Sequence, residues 1–103
     1  MYWIVTYDVP ATHDKWREQI AKVLFSFGLF RIQYSVFLGD RTSNTIDACR
    51  TKLDTMLKAN NVPADIRFFP MCKSCEAGAL RINIRNYRAG EPVTGVPSSI
   101  LIT

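Results

Sequence analysis

Residues 2–10 read YWIVTYDVP, and this stretch decides the fold prediction. Apolar, β-branched and aromatic residues in a short run bounded by proline are typical of a strand buried on both faces. Pro10 cannot donate a backbone hydrogen bond and favours extended geometry at Val9. We therefore predict that the strand ends at about Asp8 and presents this carboxylate at the rim of a sheet. The alternative is that Asp8 only caps the turn into the next helix.

Two amphipathic helices are predicted after this strand, separated from each other in the sequence. The first is expected to begin with Thr12 as its N-cap and to end at Gly28. The second is expected to begin with Ser43 or Asn44 as its N-cap and to end before Pro63. The apolar stripes are Trp16, Ile20, Val23, Leu24 and Phe27 in the first helix, and Ile46, Cys49, Leu53, Met56 and Leu57 in the second.

Three further segments are rich in strand-forming residues. Residues 29–40 are long enough for one bent strand or two short strands, with a turn or bulge expected at residues 33–35. Arg31, Gln33 and Ser35 occupy alternate positions along this segment, so a regular strand would place them on one face. Residues 64–71 predict another strand. In residues 80–85, apolar side chains alternate with polar and basic ones, which predicts a last strand with one basic face.

This order of elements predicts an α+β fold, a ferredoxin-like βαββαβ sandwich with an extra C-terminal strand. We expect one domain over residues 1–86 and a tail over residues 87–103. The first strand and residues 66–71 are apolar on both parities, so a second copy of the chain is expected to cover the sheet face that the helices leave bare. The sequence thus predicts a homodimer, with Ile100–Ile102 packing on the partner subunit.

The composition bounds the environment and the partners. The chain has 103 residues, a formal net charge of +4 and three cysteines. No apolar run approaches the roughly 20 residues that span a bilayer, and the N-terminal apolar run is too short for a signal peptide. An odd number of cysteines suits a reducing compartment. We therefore expect a cytoplasmic protein without membrane association, with a modest preference for anionic partners.

Asp8 is the candidate metal ligand. Mg²⁺ prefers oxygen ligands and needs only one or two carboxylates when water and a substrate phosphate supply the rest. One chain offers one well-placed carboxylate, and a twofold dimer would offer a pair. Such a pair could hold an ion that polarises a phosphodiester and activates water.

The basic residues are the candidates for phosphate contacts, and nearby aromatic rings could stack on bases. Arg31 needs a partner or a ligand, because it sits in an otherwise apolar strand. For Arg17 and Lys22, the alternative is a solvated helix face. The full sets are Arg17, Lys22, Arg31, Arg81, Arg85 and Arg88 for the basic residues, and Tyr7, Tyr34 and Phe37 for the rings.

Two other motifs carry weaker signals. Cys72 and Cys75 have the spacing of a zinc or redox pair, but the chain contains no second pair to complete a tetrahedral zinc site. The alternative that we favour is a turn with buried thiols. His13 could act as a general base near Asp8, although a surface position in the first helical turn is the simpler interpretation.

Four motifs together resemble the CRISPR-associated protein 2 family over residues 2–75. They are Tyr7-Asp8-Val9 at the strand end, Gly28 after the first helix, the run RIQYSVF at residues 31–37, and Asp65-Ile66-Arg67 leading into Pro70-Met71-Cys72. The resemblance implies a ferredoxin-like homodimer that acts in the capture of new CRISPR spacers together with the integrase subunit, CRISPR-associated protein 1. Many members are described as metal-dependent endonucleases that act on RNA or double-stranded DNA.

The resemblance also implies roles for individual residues. Two departures from the family pattern are Gln19, where members often carry a basic residue, and Leu38, where they often carry glutamate. A weaker basic site would lower the efficiency of the nuclease or shift its preferred substrate. The implied site consists of Asp8 as the metal-binding catalytic residue with Tyr7 beside it, and of Arg17, Arg31, Ser35 and Phe37 at the nucleic acid.

Three hypotheses follow. The first is an Mg²⁺-dependent endonuclease in which paired Asp8 carboxylates hold the ion while Arg17 and Arg31 position the nucleic-acid backbone. The second is a non-catalytic, basic scaffold that holds DNA for the integrase. The third is a ferredoxin-like regulatory module that binds a small ligand and has no affinity for nucleic acid at low salt.

Overall fold

A computed structural model describes residues 1–84 of the chain. Within that range the strands form one antiparallel sheet in the order β2-β3-β1-β4. The predicted βαββαβ ferredoxin-like fold is confirmed. The elements are β1 (Tyr2–Asp8), a 3₁₀ turn (Ala11–His13), α1 (Lys15–Ser26), β2 (Phe30–Gln33), β3 (Val36–Asp40), α2 (Ser43–Ala59), β4 (Asp65–Met71) and a short α3 (Lys73–Ala77).

The hydrophobic core lies between one face of the sheet and the two long helices. Val5 of β1 and Phe37 of β3 are cross-strand partners, and both are fully buried. Ile20 and Leu24 of α1 and Leu53 of α2 cover them. Each buried side chain of this size contributes about 1.5–3 kcal/mol of transfer free energy. The odd-numbered positions of β1 therefore face the helices, as the alternation of a strand requires.

The opposite face of the sheet, which we call the open face, is only partly covered. Ile4 lies between Leu38 and Phe69 in the register, and Leu38 is also opposite Phe30. Phe30 is 43% exposed and Phe69 is 47% exposed. In a single chain the buried residues of β1, Val5 and Tyr7, thus lie on its helix side alone. Coverage of the open face by a second copy remains a prediction.

The hairpin between β2 and β3 contains the predicted irregularity. β2 ends at Gln33 and β3 begins at Val36, and the register shifts between Arg31 and Gln33. Arg31 is paired with Phe37, on the helix side, whereas Gln33 is paired with Val36. The expectation that Arg31 and Gln33 share a face is therefore wrong, because Ile32 is an extra residue in a β-bulge.

The first helix begins later than predicted. Thr12 does not cap it, because residues 11–13 form a 3₁₀ turn in which the amide of His13 donates to the carbonyl of Pro10 at 2.8 Å. α1 starts after Asp14, whose side chain makes no cap hydrogen bond. That carboxylate accepts from Nε of Arg17 at 2.7 Å instead.

The second helix is capped by Thr42 and not by Ser43 or Asn44. Thr42 has extended backbone angles, and its hydroxyl accepts a hydrogen bond from the amide of Thr45 at 3.2 Å. Ser43 and Asn44 lie inside the first turn, where their side chains cannot reach the same amide. The sequence contains three adjacent capping residues, and only the path of the chain after β3 selects among them.

We expect Thr42→Ala to lower the free energy of unfolding by about 1 kcal/mol, because an unpaired amide is left at the start of α2. Ser43→Ala is the matched control and should change stability by less than about 0.5 kcal/mol. Urea denaturation followed by circular dichroism measures both changes. A larger loss for Ser43→Ala would contradict the observed cap.

The segment after β4 differs most from expectation. The strand predicted at residues 80–85 is wrong over its described part, because residues 80–84 form no strand and Leu80 and Ile82 are 98% and 89% exposed. Alternation of apolar and polar residues produces a strand only where a neighbouring strand is available to hydrogen-bond with the backbone. The turn with buried thiols is also wrong, since Cys72 and Cys75 are both exposed and Cys75 lies in α3.

Several predictions concern residues beyond the described range. The tail over residues 87–103, its patch Ile100–Ile102, and the basic residues Arg85 and Arg88 lie outside it. Among the described residues, no helix is long and apolar enough to cross a membrane.

Candidate functional site

Asp8 is the last residue of β1 and is exposed at the rim of the sheet. This confirms the predicted end of the strand. Within residues 1–84 its carboxylate makes no hydrogen bond and no ion pair, so Asp8 does not cap the turn that follows. Asp8 shares its parity with Ile4 and Thr6, which places it at the edge of the open face.

A second carboxylate lies directly across from Asp8. Asp65, the first residue of β4, is its partner in the register. Asp65 is held by Arg67, whose Nη2 lies 3.0 Å from the carboxylate. Like charges directly opposite each other on neighbouring strands repel, and a cation at the rim relieves that repulsion. The sequence analysis missed Asp65, because only the β1–β4 register brings it to Asp8.

Arg17 connects three segments at this end of the molecule. Its Nη2 donates to the carbonyl of Val9 at 2.6 Å, and its Nη1 donates to the hydroxyl of Ser35 at 3.2 Å. Its Nε is paired with Asp14, and its guanidinium stacks over the ring of Tyr34. Arg17 is therefore not a solvated helix residue: it ties the β1–α1 connection, and with it the position of Asp8, to the β2–β3 turn.

Arg31 belongs to β2, and its side chain lies on the helix side of the sheet, close to α1. Its Nη2 is 3.5 Å from a carboxylate oxygen of Glu18 and donates to the hydroxyl of Tyr7 at 3.4 Å. Its Nε is buried and has no hydrogen-bond partner among the described residues. Both polar contacts are long for a charged donor. Arg31 thus retains hydrogen-bonding capacity that the described residues do not use.

The aromatic residues of the predicted site surround Arg31. Tyr7 is 4% exposed and Phe37 is fully buried. The Arg31 guanidinium lies 5.3 Å from the centroid of the Phe37 ring. The Tyr7 hydroxyl donates to the carbonyl of Tyr34 at 3.3 Å, and burial is the main reason that the pKa of Tyr7 is raised. At neutral pH Tyr7 is therefore a neutral phenol that fixes the position of its neighbours.

The predicted site residues thus fall into two groups. Asp8 is at the rim toward the open face, while the remaining residues form one connected cluster on the helix side. His13 belongs to neither group: it bonds the hydroxyl of Thr12 and lines a groove of about 870 Å³ between α2 and β4. The residues of the cluster are Tyr7, Arg17, Arg31, Ser35 and Phe37, together with Tyr34, which the sequence analysis named among the candidate rings.

No group of three or more His, Cys, Asp or Glu side chains that could hold a metal ion occurs among residues 1–84. An ion at Asp8 would therefore need other oxygen ligands. Water, the phosphate of a nucleic acid and a second copy of Asp8 are the sources with suitable chemistry.

Fold and site together define a small ferredoxin-like α+β protein with an exposed carboxylate at the sheet rim and two positioned arginines behind it. The profile of the family described as CRISPR associated protein Cas2 matches residues 1–78. The chain belongs to this family, and the resemblance found in the sequence is confirmed.

Individual relatives agree with the family match. The CRISPR-associated endoribonuclease Cas2 of Korarchaeum cryptofilum is 39% identical over 71 residues, covering 67% of this chain and 70% of the relative. The CRISPR-associated endoribonuclease Cas2 1 of Methanospirillum hungatei is 32% identical over 80 residues, covering 78% and 80%. The match thus extends across most of each relative.

A solved structure supports the fold independently. The crystal structure of Streptococcus pyogenes Cas2 superposes with a TM-score of 0.66 at 24% identity, covering 81% of this chain and 100% of that chain. A second crystal structure, titled cas2, gives a TM-score of 0.57 at 27% identity and covers 91% and 94%.

Proposed function

We propose that this protein is an Mg²⁺-dependent endonuclease that hydrolyses phosphodiester bonds in RNA or double-stranded DNA and acts in CRISPR spacer acquisition with the integrase subunit. The observation that carries the proposal is Asp8, a carboxylate at the rim of the sheet that has no partner within residues 1–84. A residue held at the end of a buried strand, with its charge uncompensated by the described residues, is suited to bind a cation. RNA is the first substrate to test, because relatives are named endoribonucleases.

Asp8 is the residue that would hold Mg²⁺. The donor chemistry fits, since Mg²⁺ prefers carboxylate oxygens, and Asp65, although paired with Arg67, places further carboxylate oxygens opposite Asp8. When bound, the ion would polarise the phosphodiester and lower the pKa of an attacking water. The protein's own contribution is to keep Asp8 rigid, which the β1 ladder and the Arg17 contact with the Val9 carbonyl accomplish.

The arginines are proposed to position the nucleic-acid backbone. Arg31 makes only long contacts from Nη2, and its Nε has no hydrogen-bond partner among residues 1–84, so a phosphate oxygen at the guanidinium would be a better partner than these contacts. Tyr7 and Phe37 act through Arg31 in this proposal, since both are buried beneath its guanidinium. Ser35 acts through Arg17 in the same way.

A homodimer across the open face completes the proposed site. Exposed aromatic side chains on this face, Phe30 and Phe69, and the partly exposed Ile4 would be buried by a second copy. A stable interface of this kind buries roughly 1,200–2,000 Å² in total. Asp8 lies at the edge of the same face, so a twofold axis that passes near the end of β1 would bring two Asp8 carboxylates together.

Cleavage assays with and without divalent metal separate this proposal from the scaffold hypothesis. Purified protein should cut labelled single-stranded RNA or double-stranded DNA in Mg²⁺, and chelation with EDTA should abolish the cutting. A scaffold would bind both substrates with a steep salt dependence and cut neither. Absence of binding at low salt would contradict both and favour the regulatory module.

A further inference from the structure

Cys72 and Cys75 form a close pair of thiols just after β4. Cys72 is the residue before α3, and Cys75 lies within it. Their Sγ atoms are 3.1 Å apart, and both side chains are exposed. The site described above uses neither residue. Cys49, by contrast, is buried in the core, where desolvation raises the pKa of its thiol to about 11.

The surroundings of the two exposed sulfurs are unequal. When Cys72 is ionised, the Ser74 hydroxyl at 3.1 Å and the Cys75 thiol both donate to its sulfur. These hydrogen bonds hold the pKa of Cys72 at about 7, whereas the same contact raises the pKa of Cys75. The thiolate is the nucleophile in thiol chemistry, so Cys72 is the attacking residue and Cys75 the resolving one.

We propose that Cys72 and Cys75 are a redox-active dithiol that closes to an internal disulfide by exchange with a small-molecule disulfide such as oxidised glutathione. The Cys72 thiolate attacks one sulfur of the small disulfide, forming a mixed disulfide and releasing one small thiolate. The Cys75 thiolate then attacks Sγ of Cys72, forming the internal bond and releasing the second small thiolate. The protein loses two protons and two electrons, and the small disulfide is reduced to two thiols.

A metal site explains the pair less well. In the part of the chain that the structure describes, no third His, Cys, Asp or Glu side chain is placed so that it could hold a metal ion together with the two thiols. Zinc would therefore need two further ligands from elsewhere, whereas disulfide formation needs only the two sulfurs already in contact.

The ring that the disulfide closes is small and its effect is local. It spans only Cys72 to Cys75, so its contribution to the chain entropy of unfolding is small, and thermal stability is a poor measure of its formation. The ring lies in the chain between Met71 and Leu80. Both of these residues line a cavity of about 210 Å³ on the open face, together with Ile4 and Leu38. Oxidation therefore constrains the start of the segment that borders this face.

Intact-mass spectrometry after incubation with oxidised glutathione at pH 7 tests the proposal. Wild type should lose two hydrogens and carry no adduct. Cys72→Ser and Cys75→Ser should each retain one glutathionyl group, because neither has a partner to resolve it. Cys75→Ser should acquire that group about threefold faster than Cys72→Ser, since the higher thiolate fraction of Cys72 outweighs its lower intrinsic nucleophilicity. Cys49→Ser is the control and should react as wild type does.

Three outcomes would overturn the proposal. One is a stable glutathionyl adduct on wild type, which would show that Cys75 does not resolve the mixed disulfide. Another is loss of the internal disulfide in Cys49→Ser, which would assign the bond to a different pair. The third is stoichiometric zinc in the purified protein with both thiols protected from glutathione, which would make the pair a metal site.

Discussion

Replacing Asp8 with alanine is expected to reduce Mg²⁺-dependent cleavage at least about 100-fold, which corresponds to about 2.7 kcal/mol of transition-state stabilisation. The proposed site holds its metal through this carboxylate, and water and phosphate ligands alone would hold the ion weakly. Because Asp8 is exposed and has no partner within residues 1–84, its removal should leave the fold intact. Relief of the repulsion with Asp65 should even stabilise the chain slightly.

The measurement compares initial cleavage rates and Mg²⁺ titrations of wild type, Asp8→Ala and a control with the same change in charge. Asp47→Ala suits this purpose, since Asp47 lies on α2 and its ion pair within residues 1–84 is an exposed one with Arg50 at 3.6 Å. The control should cleave within about twofold of wild type, because exposed ion pairs of this kind contribute little. Unchanged cleavage by Asp8→Ala would rule out the proposed metal site.

Gly28→Ala is expected to be the most destabilising exposed substitution that the structure identifies. Gly28 follows α1 with φ +83°, in a Schellman motif closed by the amide of Leu29 donating to the carbonyl of Leu24 at 3.1 Å. Left-handed backbone costs a non-glycine residue about 1–2 kcal/mol. A Cβ at this position would also overlap the guanidinium of Arg41.

Displacement of Arg41 adds to that cost. Its guanidinium donates to the carbonyls of Phe27 and Gly28 at 3.0 and 3.1 Å, and so satisfies the end of α1. We expect a total loss of about 2–3 kcal/mol in the free energy of unfolding, or a fall in Tm of roughly 10–20 °C. Thermal and urea unfolding would measure it.

A double-mutant cycle separates the two contributions. In an Arg41→Ala background, Gly28→Ala should lower the free energy of unfolding only by the cost of the left-handed backbone, because the overlap with the guanidinium is absent. An equal cost in both backgrounds would show that Arg41 moves freely and that the left-handed backbone accounts for the whole effect. A cost near zero in both would contradict the observed backbone geometry.

Local pattern predicted the features that depend on local physics. The helices follow from apolar residues at helical spacing, such as Ile20, Leu24 and Leu53, which all lie in the core. The end of β1 at Asp8 follows from Pro10, and the end of α1 follows from Gly28. These residues restrict the backbone wherever they occur, so no tertiary information is needed to interpret them.

The remaining features depend on contacts between distant segments. Arg17 is helical and polar in the sequence, and only the approach of the β2–β3 turn makes it a connector of three segments. The register between β1 and β4 places Asp65 opposite Asp8, and the sequence of neither strand alone determines that register. The alternation in residues 80–84 satisfies the rule for a strand, but a strand also needs a neighbour that the sequence pattern does not supply.

The bulge at Ile32 marks a position at which the β2–β3 hairpin can lose one residue. Arg31 reaches the helix side and Gln33 the opposite side although they are two positions apart, because the residue between them is unpaired. Deleting Ile32 would make Arg31 and Gln33 neighbours in a regular ladder, where simple alternation keeps them on the same opposite sides. The loss of this single codon would therefore leave Arg31 opposite Phe37. The loss of one residue inside a regular strand such as β1 would instead move the side chains beyond the deletion to the other face of the sheet.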